Sequence, residues 1–343
     1  MKKLLNTLYV MTKESYLTVE GENAIVSADK KVKARIPLHT IEGIVCFNYA
    51  GASPALMGSC AEKGIDLCFF TPNGKFLART LGKERGNILL RTKQCLIAQN
   101  EEESCKFARM FVLGKIYNTR WVLERATRDH SLRVPVEELK SASTKLAETV
   151  RVVRNVNDLS KLRGLEGESA QLYFAHFDSL ILQQKEEFTF TGRSRRPPTD
   201  NVNALLSFAY TILANNCAAA LQSVGLDPYI GFLHRLRPGR SSLALDLMEE
   251  LRPVMADRFV ISCINKKIIT AKHFDEQESG AVWLNDDGRK VFFKAWQERK
   301  QEGLTHPFLK EKMFWGLVPY TQALLLARSL RGDLDDYPPF LWK

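Results

Sequence analysis

Over residues 1 to about 90, apolar positions fall in short runs closed by turn-forming residues. LNTLYVMT, YLTVEG, NAIVSAD, KVKARIPLHTIEGIVCF, IDLCFFTPNG and KFLARTLG are rich in Val, Ile, Tyr and Phe, a strand composition. The GEN, ADK and PNGK turns separate segments of hairpin length. SPALMGSCAEKG departs from this pattern and predicts a small helix, with Pro54 in its first turn and Gly64 after its last. From about residue 95 the period lengthens. CLIAQNEEESCKFARMFVLGKIYNTRWVLERAT carries apolar residues at helical spacing for far more than three turns. PVEELKSASTKLAETVRVVRN, SKLRGLEGESAQLYFAHFDSLIL and NVNALLSFAYTILANNCAAALQSVG extend it, Pro135 suiting a helix start and Gly225 a stop. AVWLNDDGRKVFF reads as an exception, a hairpin turning at Asp287-Gly288 between helices.

These periods predict an α+β protein. A small β-domain spans 1–90, and a larger, mainly helical domain with a short β-hairpin insertion spans 95–330. The remainder, 331–343, is a non-helical tail whose aromatics pack on the body or on a partner. Length changes little in this picture, because 343 residues suffice for two compact domains. Charge changes more. With 49 Lys and Arg against 39 Asp and Glu, the formal charge is +10, which favours a polyanion such as nucleic acid over an acidic protein or membrane surface. The seven cysteines include no CxxC pair, so zinc knuckles and a secreted disulfide scaffold are disfavoured and a reducing cytoplasm is expected. MKKLLNTLYVMTKES lacks the sustained apolar core and small-residue cleavage site of a signal peptide. No stretch reads as the roughly 20 apolar residues of a membrane span.

The helical half also holds the candidate chemistry. Glu166 stands between Gly164 and Gly167 in LRGLEGESAQLYF, where glycine permits close backbone approach. His234 lies in GFLHRLRPGRSS, followed by Arg235, Arg237 and Arg240. Asp246 and Glu249, in ALDLMEELRP, are neighbours on one helix face, and Pro253 predicts a bend just beyond them. Each has a plainer reading: a surface glutamate near a helix start, a satisfied core histidine, an acidic helix balanced by Arg252 and Arg258. Together, two acids and an imidazole among arginines are what metal-assisted phosphodiester chemistry requires. Oxygen donors without cysteine suit Mg2+ or Mn2+ better than zinc. Arg193, Arg195 and Arg196 in TGRSRRPPTDNVNAL form a basic loop, with Asp200 or Asn201 placed to cap the next helix. Lys161 and Arg163 add to it before Glu166, and Lys266, Lys267 and Lys272 form a third patch. Such cations position a DNA backbone more than they read its sequence. Tyr210 is read as packing in or behind the site.

Taken in order, RGLEGESAQLYF, NALLSFAYTIL and GFLHRLRPGRSSLALDLMEELRP resemble the CRISPR-associated integrase-endonuclease (Cas-one) family, most closely its type I-C form. The resemblance covers nearly the whole chain. It implies an N-terminal β-domain used for homodimerisation, a helical domain with one metal site, and Glu166, His234 and Glu249 as the metal ligands. Asp246 matches a nearby acid important to the site. The last ligand is often aspartate in relatives, so Glu249 adds a methylene of reach. The implied partners are incoming double-stranded DNA with 3′ ends, CRISPR repeat DNA and the small Cas-two protein, which two dimers clamp. The implied reaction is attack of a 3′-hydroxyl on a repeat-boundary phosphodiester, which installs a new spacer. A hydrolytic structure-specific nuclease and a non-enzymatic DNA-binding scaffold are the competing expectations.

Overall fold

The structure is a computed structural model and describes residues 6–12, 14–71, 76–80 and 88–343. Its first part holds β1 (Thr7–Val10), β2 (Tyr16–Glu20), β3 (Asn23–Ala28), β4 (Lys31–Pro37), β5 (Gly43–Cys46), α1 (Pro54–Lys63), β6 (Asp66–Phe70) and β7 (Phe76–Arg79). The GEN and ADK turns do join hairpins, giving an antiparallel sheet in the order β2-β3-β4. The PNGK turn lies outside the described residues. The other strands form a second sheet, β1-β5-β6-β7, in which β1, β5 and β6 run parallel. KVKARIPLHTIEGIVCF is therefore not one strand. Pro37 ends β4, the Thr40 hydroxyl donates to the Pro37 carbonyl at 2.7 Å, and the short helical turn between them redirects the chain into the other sheet. The expected small helix is α1. Ser53 accepts the Leu56 amide at 3.2 Å, and Gly64 closes the helix at φ +68°, providing the crossover that parallel β5 and β6 need.

The rest is mainly helical: α2 (Ile88–Gln99), α3 (Glu101–Asp129), α4 (Val136–Val153), α5 (Leu159–Ala175), α6 (Asn201–Ser223), α7 (Ser242–Leu251), α8 (Arg258–Asn265), α9 (Asp286–Gln301) and α10 (Val318–Arg331). Asn100 accepts the Glu103 amide and divides α2 from α3, whose 29 residues run for about 43 Å. Asp200 caps α6. By length and hydropathy α6 is apolar enough to cross a membrane, contrary to the reading above, yet most of it is buried among the other helices. Between α7 and α8, Arg252–Asp257 form a wide π-helical turn. Proline at 253 withdraws the amide that would have bonded the Glu249 carbonyl, so the expected bend takes this form.

The hairpin near 281 lies earlier than expected. β8 (Phe274–Glu276) pairs with β9 (Val282–Leu284), and Asp287-Gly288 open α9 instead of turning between strands. The Asn285 side chain accepts the Gly288 amide at 2.9 Å, and Asp286 and Asp287 lie favourably in the first turn of the helix. A last hairpin pairs β10 (Gly303–Thr305) with β11 (Lys312–Phe314). Arg331 still belongs to α10; beyond it the tail is non-helical and its aromatics pack on the body, with Tyr337 and Phe340 buried.

Two cores result. Leu17, Leu38, Ile44, Leu56 and Leu67 fill the smaller, between the two sheets and α1. The far face of the β1-β5-β6-β7 sheet belongs to the larger one. Phe47 meets Phe70 at 5.2 Å and Phe293 at 4.9 Å, Phe208 meets Phe293 at 5.4 Å, and Tyr9 stacks on Phe293 at 4.1 Å. At the edge of this seam Lys300 donates to Glu42 at 2.8 Å. All seven cysteines are free thiols.

Candidate functional site

Four segments converge on one cleft: α3, α5, the loop between α6 and α7, and α7 itself. Gly114 brings α3 against α7. A Cβ there would lie 2.7 Å from the Glu250 Cβ, so only glycine lets the helices touch. The next residue, Lys115, thereby reaches both candidate acids. Its ammonium pairs with the Glu166 carboxylate from α5 and lies 2.6 Å from Glu249 Oε2. The Glu249 side chain is 3% exposed, and its Oε1 meets Arg252 at 2.8 Å and His234 Nε2 at 3.9 Å. Burial would raise the Glu249 carboxyl, but the charges of Arg252 and Lys115 outweigh it and hold the group below the usual carboxylate range.

The loop carrying His234 is fixed from three sides. Gln94 of α2 donates to the Asp227 and Ile230 carbonyls at 2.8 and 2.7 Å. Arg163 of α5 donates to the Leu233 carbonyl at 2.7 Å. Asp246, fully buried on α7, accepts the Phe232 and Leu233 amides on Oδ2 at 2.6 and 2.9 Å, and the His234 amide on Oδ1 at 3.0 Å. That same Oδ1 lies 2.6 Å from His234 Nδ1. A proton on Nδ1 facing this carboxylate leaves the Nε2 lone pair directed away from Asp246, the arrangement found behind ligating imidazoles. Gly231 permits the loop to pass, since a Cβ there would fall 2.7 Å from the Ser242 backbone and 2.8 Å from Asp246 Oδ2.

The structure thus brings Glu166, His234 and Glu249 to one cleft and gives Asp246 a different task. Asp246 does not face the cleft; it orients the imidazole and its loop. Gly164 and Gly167 do not serve close packing, because a Cβ at either meets nothing within 4 Å. Nor does Glu166 lie at a helix start: α5 begins at Leu159 and carries it in its middle.

Among the described residues no three acid, imidazole or thiol groups converge closely enough to hold an ion as they stand, and Lys115 lies between the two carboxylates. The donor set nevertheless fits a hard divalent cation. Glu249 Oε2 is buried and lacks a hydrogen bond of proper direction, although the Lys115 ammonium is close. Two carboxylates and an imidazole nitrogen are the matching ligand types.

The cleft holds about 980 Å³ and is strongly cationic. Arg195, Arg196, Arg237 and Arg240 line it as expected, together with Arg79, Lys115 and Arg252. Other anticipated DNA contacts have different places. Arg163 is spent on the loop carbonyl. Arg193 lies over the Phe174 and Tyr210 rings and donates to Asn203, so packing accounts for it. Lys161 and Arg235 are exposed outside the cleft lining. Tyr210 packs behind the site. Its ring carries Arg252 at 4.7 Å and its hydroxyl donates to Asp257 at 2.5 Å. Burial pushes the Asp257 carboxyl up to about 6 despite that bond and the nearby Arg252 and Arg193. Glu250 points away from the cleft into the tail. It accepts from Tyr337, Gln322 and the Phe340 amide, yet burial pushes it up to about 7.

Lys115 was not anticipated from the sequence. Its one signal is a charge in the apolar run FVLGKIY, on a helix face where every neighbour is buried. Arg252 was expected to balance the acids of α7, and it does so through Glu249.

The sequence pattern described as CRISPR associated protein Cas1 matches residues 8–298. The chain is 50% identical to "CRISPR-associated endonuclease Cas1 1" of Chlorobaculum tepidum over 343 residues, the full length of both. Its fold is similar to a casposase bound to integration product, with a TM-score of 0.83 at 22% identity, covering 100% of this chain and 95% of that one. It is also similar to a chain of a Cas6-RT-Cas1–Cas2 complex, with a TM-score of 0.80 at 25% identity, covering 98% and 36%. A shared pattern over most of the chain, and end-to-end identity at half of all positions, establish that this chain belongs to the CRISPR associated protein Cas1 family.

Proposed function

We propose that this chain is a divalent-metal-dependent DNA endonuclease and strand-transfer enzyme that inserts new spacers into a CRISPR array. The observation that carries the reading is the meeting of Glu166, His234 and Glu249 on a cleft walled by arginines. Glu166 and Glu249 would hold the ion through carboxylate oxygens, and His234 through Nε2. Magnesium or manganese bound there would supply Lewis acidity toward the scissile phosphate and toward the attacking hydroxyl.

The chain's own residues supply the rest. Arg195, Arg196, Arg237 and Arg240 bind backbone phosphates, which fixes DNA in the cleft without reading its sequence. Asp246 keeps the imidazole in one tautomer, and Arg252 holds Glu249 ionised. A 3′-hydroxyl brought in on an incoming duplex attacks a repeat-boundary phosphodiester; water in its place gives cleavage alone. The endonuclease names of close relatives support the cutting half of this reading, and likeness to an integration-product casposase supports the joining half. Similarity to a Cas1–Cas2 complex supports Cas2 as the small partner. Homodimerisation through the β-domain and work in the cytoplasm, where free thiols persist, complete the proposal.

The test combines this protein with its Cas2 partner, a 3′-hydroxyl duplex, a supercoiled repeat-array plasmid and Mn2+. Joined products are expected, and E166Q, H234A and E249Q should abolish them while retaining fold and DNA binding. Fragments without joined products would favour a structure-specific nuclease. Function unchanged in chelator would favour a DNA-binding scaffold.

A further inference from the structure

We propose that Lys115 is a built-in counter-cation of the ion site, which holds the ligand carboxylates together before the ion arrives and competes with it for the same oxygens. The inference rests on the metal-dependent reading above and goes beyond it. Lys115 is 8% exposed and touches both candidate ligand carboxylates at once. Without its charge, Glu166 and Glu249 would face each other as partly desolvated anions, with the Arg252 pair to Glu249 left to offset them.

An ion and the ammonium cannot share this position. The ammonium nitrogen has no lone pair and cannot be a ligand. It lies 2.6 Å from Glu249 Oε2, where a magnesium-sized ion requires that oxygen at about 2.1 Å. Lys115 must therefore withdraw as the ion enters. Two features make withdrawal easy. The contact with Oε2 is off the hydrogen-bonding direction, so charge holds it and the bond to Glu166 is the one aligned hydrogen bond that withdrawal breaks. The side chain also borders the open cleft, which gives its flexible stem somewhere to go. The displaced ammonium then joins the arginines that face the DNA phosphates.

The sign of one measurement separates this role from simple structural support. Removing a competing cation tightens ion binding, whereas damage to the site weakens it. Mn2+ titrations of the full chain by calorimetry and by electron paramagnetic resonance should show Lys115→Met binding roughly tenfold tighter than wild type, or better. Lys115→Arg, which keeps the charge, should gain nothing. Equal or weaker binding by Lys115→Met, with wild type binding Mn2+ and E166Q abolishing it, overturns the proposal while sparing the metal reading. Absence of Mn2+ binding in folded wild type removes both. A second readout needs no variant. Amine acylation of wild type, read by mass spectrometry, should rise several-fold at Lys115 on adding Mn2+ while exposed lysines stay constant. Unchanged labelling of Lys115 in protein that has bound Mn2+ overturns the proposal equally.

Discussion

Asp246→Asn isolates how the imidazole is held, because it keeps the shape of the side chain and removes one acceptor atom. Asp246 accepts two backbone amides on Oδ2, and one amide plus His234 Nδ1 on Oδ1. An asparagine must put its NH2 on one side or the other. Facing Phe232 and Leu233, it would leave two buried N–H groups without acceptors, at about 1–3 kcal/mol each. Facing His234, it strands one amide for about 1–3 kcal/mol and makes Nδ1 the acceptor. The second choice costs less, and it sends the ring proton to Nε2, the nitrogen assigned to the ion in the proposed function. Urea unfolding should therefore show a loss of about 1–3 kcal/mol. Mn2+ affinity and DNA cleavage should fall roughly 10- to 100-fold, the usual effect of losing a carboxylate behind a ligating histidine. Nitrogen-15 shifts of the imidazole would report the proton on Nδ1 in wild type and on Nε2 in the variant. A variant with Mn2+ affinity within twofold of wild type and an unmoved proton would refute the tautomer argument.

Glutamine at Arg195 or Arg237, which line the cleft, should each lower the salt dependence of DNA affinity by about one phosphate contact, read by anisotropy between 50 and 200 mM salt. Arg163→Gln and Arg193→Gln should leave that slope unchanged and lower thermal stability instead. Asp257 gives a pH signature: its folded pKa, raised by burial to about 6, means its stabilising proton is fully present below about pH 4 and lost as pH rises through 6. Relative to Asp257→Asn, wild type should lose about 3 kcal/mol of stability between those limits in urea titrations. Tyr337→Phe removes the hydroxyl donor to Glu250 Oε1 and should cost about 1–3 kcal/mol, with faster hydrogen exchange over 333–343.

The three candidate ligands were legible because each sits in a short word that resembles the family's, with charged neighbours close in sequence. Arginines follow His234 within six positions, and Glu249 lies one turn from Asp246. What Asp246 does was not legible. A spacing of three puts two acids side by side on a helix, but which one meets the cleft and which meets a loop depends on tertiary packing. Lys115 was hidden for the same reason. Its partners lie 51 and 134 positions further along, and only the glycine-mediated contact of α3 with α7 unites them. In the first part, strand composition was readable and pairing was not, since nothing within a run distinguishes a parallel neighbour from a hairpin partner. At Asp287-Gly288 the local signal was ambiguous: the same pair suits a tight turn or a helix start, and the preceding Asn285 decides for the helix.

The aromatic seam between sheet and helices has a mechanical consequence. Phe47, stacked on Phe70, meets Phe208 and Phe293, so packed aromatic rings join the two halves and couple movement of one to the other. Phe208 lies two positions before Tyr210 on α6, and Tyr210 props Arg252 against Glu249. A partner that tilts the sheet would therefore pull on a packed linkage ending at a candidate metal ligand.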